Sequence, residues 1–91
     1  MNKKELIEAV ANKSGFSIIE TGKLLKSVLD VINDTLKNEE PVVLLGFGSF
    51  RLWKQNERMG RNPKTGKDVL IPKRQSVKFK PGKFLLEDLN K

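Results

Sequence analysis

The apolar positions of the first 38 residues recur at helical spacing and predict two helices. The first has a candidate N-cap in Asn2, ends at Gly15, and has an apolar face made of Leu6, Ile7, Val10 and Ala11. The second opens with a capping-box pair, Ser17 and Glu20, and its apolar stripe is made of Leu24, Leu25, Val28, Leu29, Ile32 and Leu36. That stripe is broader than the first helix can cover, so we expect a partner helix or a symmetry mate to complete it.

After Pro41 the pattern changes from helical to strand-like. Residues 42–45, Val-Val-Leu-Leu, form an apolar run of strand length that is too short for a helix. Residues 46–50, Gly-Phe-Gly-Ser-Phe, predict a tight turn with aromatic side chains packed beneath it. The same G-x-G is weak evidence of phosphate binding, since the third glycine of a dinucleotide fingerprint is absent.

A long hairpin follows, with one strand from Ser49 to about Arg61, a turn over 62–66 and a return strand from Lys67 to about Lys80. If residue 61 faces residue 68, Phe50 meets Phe79 and Leu52 meets Val77, which gives the base of the hairpin an apolar face. The opposite face then carries Arg51, Trp53 and Gln55 across from Lys78, Ser76 and Arg74. A β-bulge at Pro72 would break this alternation. After Pro81-Gly82, residues 83–89 predict a short closing helix.

The positive charge is concentrated in the second half of the chain. Residues 1–45 hold six lysines against seven acidic residues, whereas residues 46–91 hold twelve lysines and arginines against four. The hairpin and its flank, residues 51–83, carry eleven of those cations with only Glu57 and Asp68 to oppose them. A charge that served solubility alone would be spread over the chain, so the segment predicts an extended anionic partner, with nucleic acid the leading candidate.

Size and composition restrict the remaining possibilities. A single domain of 91 residues buries only about 60 to 65% of its unfolded surface, so we expect oligomerisation to complete its core. The chain has no Cys and no His, which leaves no thiolate metal site and makes an enzyme improbable; we expect no metal and no cofactor. We also expect a cytoplasmic protein without a membrane segment or signal peptide, because no apolar run approaches the length of either.

Three segments together resemble the HU and integration host factor family of bacterial nucleoid-associated DNA-bending proteins: GFGSF at 46–50, GRNPKTGK at 60–67 and FKPGK at 79–83. The resemblance runs from end to end. It implies one α+β domain over 1–91, with a helical hairpin base over about 1–45, a three-stranded antiparallel sheet, a protruding β-arm over about 51–78 and a C-terminal helix over about 82–90. It also implies an intertwined homodimer, with a heterodimer possible.

The resemblance also implies residue roles. Pro63 matches the wedge that intercalates between base pairs, although Asn-Pro followed by Thr-Gly would also suit a plain turn. The minor-groove residues would be Arg58, Arg61, Asn62, Lys64 and Thr65. The phosphate contacts would be Lys3, Lys73, Arg74, Lys78, Lys80 and Lys83, and the dimer core Leu29, Leu36, Leu44, Phe47, Phe50 and Phe79.

The chain departs from the family pattern at three positions. Trp53 and Gln55 stand where the family often has basic residues, and Leu86 where it often has lysine. The resemblance therefore implies no phosphate contact at these three positions. Trp53 could instead pack on a deoxyribose, on a strand neighbour, or as ordinary cover for the base of the hairpin.

Together with the basic arm, the resemblance implies an architectural protein that binds duplex DNA through the minor groove with little sequence preference, bends it and compacts the chromosome. The alternatives are a site-preferring bending protein like integration host factor and, with less support, an RNA or single-strand binder, which usually shows several exposed aromatic side chains for base stacking. A scaffold that binds proteins or membrane surfaces through the basic arm is a third class. No small-molecule substrate is implied.

Overall fold

The computed structural model describes residues 1–91, which form three helices and five strands. In chain order these are α1 (Lys3–Ser14), α2 (Ile18–Lys37), β1 (Val42–Leu44), β2 (Gly48–Gln55), β3 (Arg58–Arg61), β4 (Asp68–Ile71), β5 (Arg74–Pro81) and α3 (Lys83–Leu89). The chain divides into two compact units, residues 1–34 and residues 35–91. The expected α+β class is confirmed, and no helix is both long and apolar enough to cross a bilayer.

Side-chain caps fix the ends of the helices in the first unit as the sequence predicts. The Glu5 N–H donates to the Asn2 side-chain oxygen at 2.8 Å, which satisfies one of the free donors at the start of α1. Gly15 ends α1 with φ of 83°, a left-handed conformation that glycine adopts without strain. Ser17 Oγ accepts from the Glu20 N–H at 3.1 Å and donates to the Glu20 carboxylate at 2.9 Å, so the start of α2 is set by its own sequence.

Half of the apolar stripe of α2 is exposed within the chain, at Leu24, Val28 and Leu29, whereas Leu36 is buried. Leu24 and Val28 are 53% and 51% exposed. An apolar cavity of about 230 Å³ opens between α1 and α2, lined by Ile7, Val10, Ser14, Phe16, Thr21, Leu24, Leu25 and Val28. Helix α1 therefore does not cover the whole stripe, as the width of the stripe predicts.

The second unit contains a three-stranded antiparallel sheet in the order β1-β2-β5. The predicted register is confirmed, with Phe50 opposite Phe79 and Leu52 opposite Val77. The Phe79 ring lies 4.9 Å from Phe50 and 5.7 Å from Phe47, centroid to centroid. This aromatic cluster gives the base of the arm one apolar face.

The two glycines of the turn before β2 serve different purposes. Gly46 has φ of 86°, which an L-amino acid adopts only with strain. Gly48 instead allows close approach, since a Cβ built there would lie 2.6 Å from the Phe79 ring and 2.7 Å from the Lys80 carbonyl oxygen. Only Gly46 has the positive φ that the sequence suggested for this turn.

The arm is divided into two ladders, whereas the sequence predicted two unbroken strands. Pairing stops after Gln55 opposite Arg74 and resumes at Arg58 opposite Ile71. Two residues are left unpaired on each strand, 56–57 and 72–73, so the pairing register is the same on both sides of the break and no β-bulge forms at Pro72. Pro72 lies in this break, where its lack of an N–H removes a donor from the ladder.

Helix α3 follows the arm directly and begins and ends close to where the sequence predicts. The Gly82 N–H donates to the Phe47 carbonyl at 2.8 Å, which ties the start of α3 to the turn before β2. A Cβ at Gly82 would lie only 3.1 to 3.3 Å from the backbone of Phe47 and Gly48. Glycine therefore permits this close contact at the end of the sheet.

Candidate nucleic-acid interface

The arm and its flank form a cationic surface with few acidic partners. The structure contains three ion pairs, Lys54–Glu39, Lys83–Glu87 and Lys91–Asp88. Of the eleven cations in residues 51–83, only Lys54 and Lys83 take part in them. The remaining nine charges are not neutralised within the chain, so the arm presents a positive field to an external partner.

The turn at the tip of the arm is closed by four hydrogen bonds of its own. The Asn62 N–H donates to the Lys67 carbonyl at 2.8 Å, and the Gly66 N–H donates to the Asn62 carbonyl at 2.7 Å. The Asn62 side-chain oxygen accepts from the Lys64 N–H at 2.9 Å, and Thr65 Oγ accepts from the Lys67 N–H at 3.3 Å. Gly66 adopts φ of 69°. None of these bonds involves Pro63, which is exposed within the turn.

The residues at the tip therefore fall into two kinds, those that hold the turn and those that stay exposed on it, although the sequence predicted a DNA contact for all of them. Asn62 and Thr65 were expected to line the groove, but their side-chain oxygens accept backbone N–H groups and hold the turn. This structural role could have been read from Asn and Thr two residues before the donors they meet, which is the spacing of Asx- and Ser/Thr-turns. Pro63 and Lys64 stay exposed on the frame that these bonds create.

The outer ladder has two different faces. Arg61 lies opposite Asp68, and Arg58 lies opposite Ile71. Since successive residues of a strand alternate between faces, Arg58 and Arg61 project from opposite sides of the ladder. The two arginines proposed for the groove would thus reach it from different sides of the ribbon.

Apolar side chains occupy both faces of the outer ladder. On the face with Arg58, the Ile71 side chain fills the space beside Gly60. A Cβ added at Gly60 would lie 2.7 Å from Ile71 Cδ1. On the face with Arg61, the paired Met59 and Leu70 are 64% and 54% exposed. Sequence reasoning gave Met59 no role, although its position opposite Leu70 follows from the predicted register.

The base of the arm bears a polar face opposite its aromatic cluster. Arg51, Trp53 and Gln55 lie across from Lys78, Ser76 and Arg74, as the register predicts. Lys78 Nζ lies 4.2 Å from the centroid of the Trp53 ring. The Arg74 Nε–H donates to the Gln55 side-chain oxygen at 2.8 Å.

The other sequence-predicted residues are distributed over both units. Lys3 begins α1, in the first unit; Lys73 lies at the break of the arm, Lys80 in β5 and Lys83 at the start of α3, in the second. All four are exposed. Of the residues expected in a dimer core, Phe47, Phe50 and Phe79 form one cluster, Leu29 and Leu44 are 46% and 44% exposed, and Leu36 is buried.

Comparison with known proteins gives one consistent family. The model of the family described as "Bacterial DNA-binding protein" matches residues 1–90. DNA-binding protein HU 1 of Bacillus subtilis is 47% identical over 85 residues, covering 93% of this chain and 92% of the relative. DNA-binding protein HU of Thermotoga maritima is 45% identical over 87 residues, covering 96% and 97%.

Solved structures agree with the sequence comparison. The protein chain of an Anabaena HU–DNA cocrystal structure matches with a TM-score of 0.86 at 36% identity, over 98% of this chain and 97% of that one. HU from Thermotoga maritima matches with a TM-score of 0.69 at 34% identity, over 98% of both chains. The chain therefore belongs to the HU family of bacterial DNA-binding proteins, which are architectural proteins and not enzymes.

Proposed function

We propose that this protein binds duplex DNA through the minor groove with little sequence preference and bends it by inserting Pro63 between base pairs. We propose that it thereby helps to compact the bacterial chromosome, as a cytoplasmic, nucleoid-associated protein. One observation carries the proposal: Pro63 is exposed in a turn that is closed without it, on an arm whose cations are mostly unpaired. The HU relatives are named as DNA-binding proteins, and the Anabaena HU structure is a cocrystal with DNA, so both support DNA as the partner.

The wedge mechanism suits the physical properties of this tip. Proline is rigid and apolar, so its insertion between bases costs almost no side-chain entropy. Unstacking a base step costs a few kcal/mol, and bending 20 to 30 base pairs by 40 to 90° costs about 1 to 6 kcal/mol, as is general for minor-groove architectural proteins, HU among them. Contacts between the bent duplex and the cations of the arm would offset both costs.

Electrostatics should supply most of the affinity. If the arms and body neutralise roughly 6 to 10 phosphates per dimer, the logarithm of the binding constant should fall with the logarithm of salt concentration at a slope of about −5 to −9. Titrations of random, A-tract, nicked and single-stranded DNA at several salt concentrations measure this slope and the preference together. A slope near −1, or strong preference for one site at every salt concentration, would contradict a general duplex binder.

We further propose that the working form is a dimer, with a homodimer sufficient and a heterodimer possible. Ala11 and Leu36 are the only buried hydrophobic residues of the chain, and no large side chain is fully buried. Such a chain lacks the core that would offset the conformational entropy lost on folding. A second copy that covers the stripe of α2 and the aromatic cluster would supply the missing apolar surface.

The two alternatives differ from this proposal in measurable ways. A site-preferring protein like integration host factor would bind one sequence far more tightly than random duplex of the same length. An RNA or single-strand binder would need several exposed rings for stacking, whereas Trp53 is the only aromatic residue within the arm. Competition between duplex, single-stranded DNA and RNA distinguishes these cases, and we expect the duplex to win.

A further inference from the structure

The base of the arm has a cationic face built around a single indole ring. Strand β2 contributes Arg51, Trp53 and Gln55 to this face, and β5 contributes Lys80, Lys78, Ser76 and Arg74. The ion pairs of the structure include none of these four cations. The aromatic cluster of Phe50 and Phe79 belongs to the alternate positions of the same strands. Trp53 is thus placed outside the apolar cluster and among charges.

Lys78 and Trp53 already contact each other in the free chain. The ammonium nitrogen lies 4.2 Å from the ring centroid, and Trp53 is 37% exposed. Ser76, the residue directly opposite Trp53, is too small to cover the rest of the ring. A cation over an exposed aromatic ring is held weakly, whereas a charge-assisted hydrogen bond to a phosphate oxygen is stronger. A phosphate that approaches this face can therefore take Lys78 from the ring.

We propose that Trp53 and Lys78 together form a DNA contact at the base of the arm, in which Lys78 moves from the indole to a backbone phosphate and the uncovered ring packs on the adjoining deoxyribose. The inference rests on the proposed duplex binding and adds to it a contact that supplies apolar area as well as charge. Arg51 and Lys80, on the same face, would hold the neighbouring phosphates. No tip residue takes part, so this contact is separable from the Pro63 wedge.

Tryptophan emission can report on this contact directly. Trp53 is the only tryptophan and the chain has no tyrosine, so the emission comes from the proposed site. A random duplex with a fluorescent end label would report binding independently through its anisotropy. We expect the Trp53 emission to change along the same isotherm as the anisotropy and to return to its free value at high salt.

Substitutions distinguish the contribution of the Trp53 ring to binding from that of the Lys78 charge. Trp53→Ala should raise Kd about three- to tenfold at every salt concentration without changing the salt slope, because a neutral ring displaces no counterions. Trp53→Phe, which keeps a ring, should bind within about twofold of the parent. Lys78→Gln should make the slope shallower by about 0.9 per arm, or about 1.8 per dimer. Lys13→Gln, in the last turn of α1, is the matched charge control and should keep the parent slope.

The outcomes separate this inference from the proposal on which it rests. Emission that stays constant while the anisotropy saturates would overturn the Trp53 contact and leave duplex binding intact. Trp53→Ala with parental affinity, in a variant whose circular dichroism shows the parental fold, would overturn it as well. A parent protein that fails to bind the labelled duplex at all would overturn both, and the anisotropy alone would reveal that.

Discussion

A methyl group at Gly48 should destabilise the sheet because its neighbours cannot make room for it. The Cβ would lie 2.6 Å from two carbons of the Phe79 ring and 2.7 Å from the Lys80 carbonyl oxygen. Relief would need a shift of about 1 Å from atoms that ordinarily stay near 3.5 to 4 Å. The Phe79 ring also packs on Phe47 and Phe50, and the carbonyl belongs to the backbone of β5, so neither can move alone.

Overpacking of this kind costs about 1 to 3 kcal/mol per chain, which lowers the melting temperature of a domain of this size by roughly 5 to 20 °C. Thermal unfolding followed by circular dichroism at one fixed chain concentration measures the shift. Gly22→Ala is the matched control, because its Cβ would meet only Ile7 Cδ1 at 3.9 Å and alanine favours a helix by about 0.8 to 1 kcal/mol. We expect that variant to melt slightly above the parent. A Gly48→Ala variant that melts within 2 °C of the parent would show that the sheet can accommodate a methyl group at this position.

The remaining predictions test the dimer, the turn and the segment after α2. Because folding should be coupled to association, the melting temperature should rise with protein concentration, and a stable folded monomer at micromolar concentration in sedimentation would contradict this. Asn62→Asp keeps the acceptor for the Lys64 N–H but adds a negative charge at the tip, so the fold should persist while duplex affinity falls about tenfold at low salt; equal affinity would be the contrary result. Glu39 has φ of 62° and pairs with Lys54. A positive φ strains the backbone of an L-residue, so Glu39→Gly relieves this strain whereas Glu39→Gln keeps it, and both variants lose the exposed ion pair. The glycine variant should therefore be the more stable of the two by about 1 kcal/mol in urea unfolding. Equal stability would count against strain at this position.

Local sequence signals predicted most of the fold. Asn2, Gly15, Ser17 and Glu20 mark helix ends through hydrogen bonds within a few residues, so no tertiary information was needed to find them. The sheet register followed from a single assumed pair, because antiparallel alternation then fixes every other partner.

The interruption of the arm was harder to predict. Pro72 indicated an irregularity in the arm, but the sequence is consistent with two kinds. Pairing can be lost equally on both strands, or one strand can carry a bulge. Only a bulge changes which side chains share a face. The sequence allowed Trp53 to pack on a strand neighbour but did not identify Lys78 as that neighbour. Their contact links diagonal neighbours across strands, and depends on a lysine conformation that the sequence does not specify.

The candidate site could be located but not fully resolved by sequence. Charge density pointed to the arm, and the resemblance to HU predicted that Pro63 acts as a wedge. The division of labour within the tip, where Asn62 and Thr65 hold the turn around an exposed Pro63, required backbone geometry. Roles in DNA contact depend on the position of the duplex, so they stay predictions for each residue of the arm.

The bend that Pro63→Ala produces in duplex DNA shows whether Pro63 acts as a wedge. Since no hydrogen bond of the turn involves Pro63, the variant should keep its fold and its dimer. Energy transfer between dyes at the two ends of a short duplex measures the bend at saturating protein. Arg61→Ala is the comparison variant, which should weaken binding to intact and nicked duplex alike.

We expect Pro63→Ala to bend intact duplex less than the parent does, and to retain the preference for nicked DNA because a nick already makes a kink inexpensive. Intact duplex bent as fully by Pro63→Ala as by the parent would contradict this expectation, and would show that Pro63 is a turn residue on an arm that acts by charge alone.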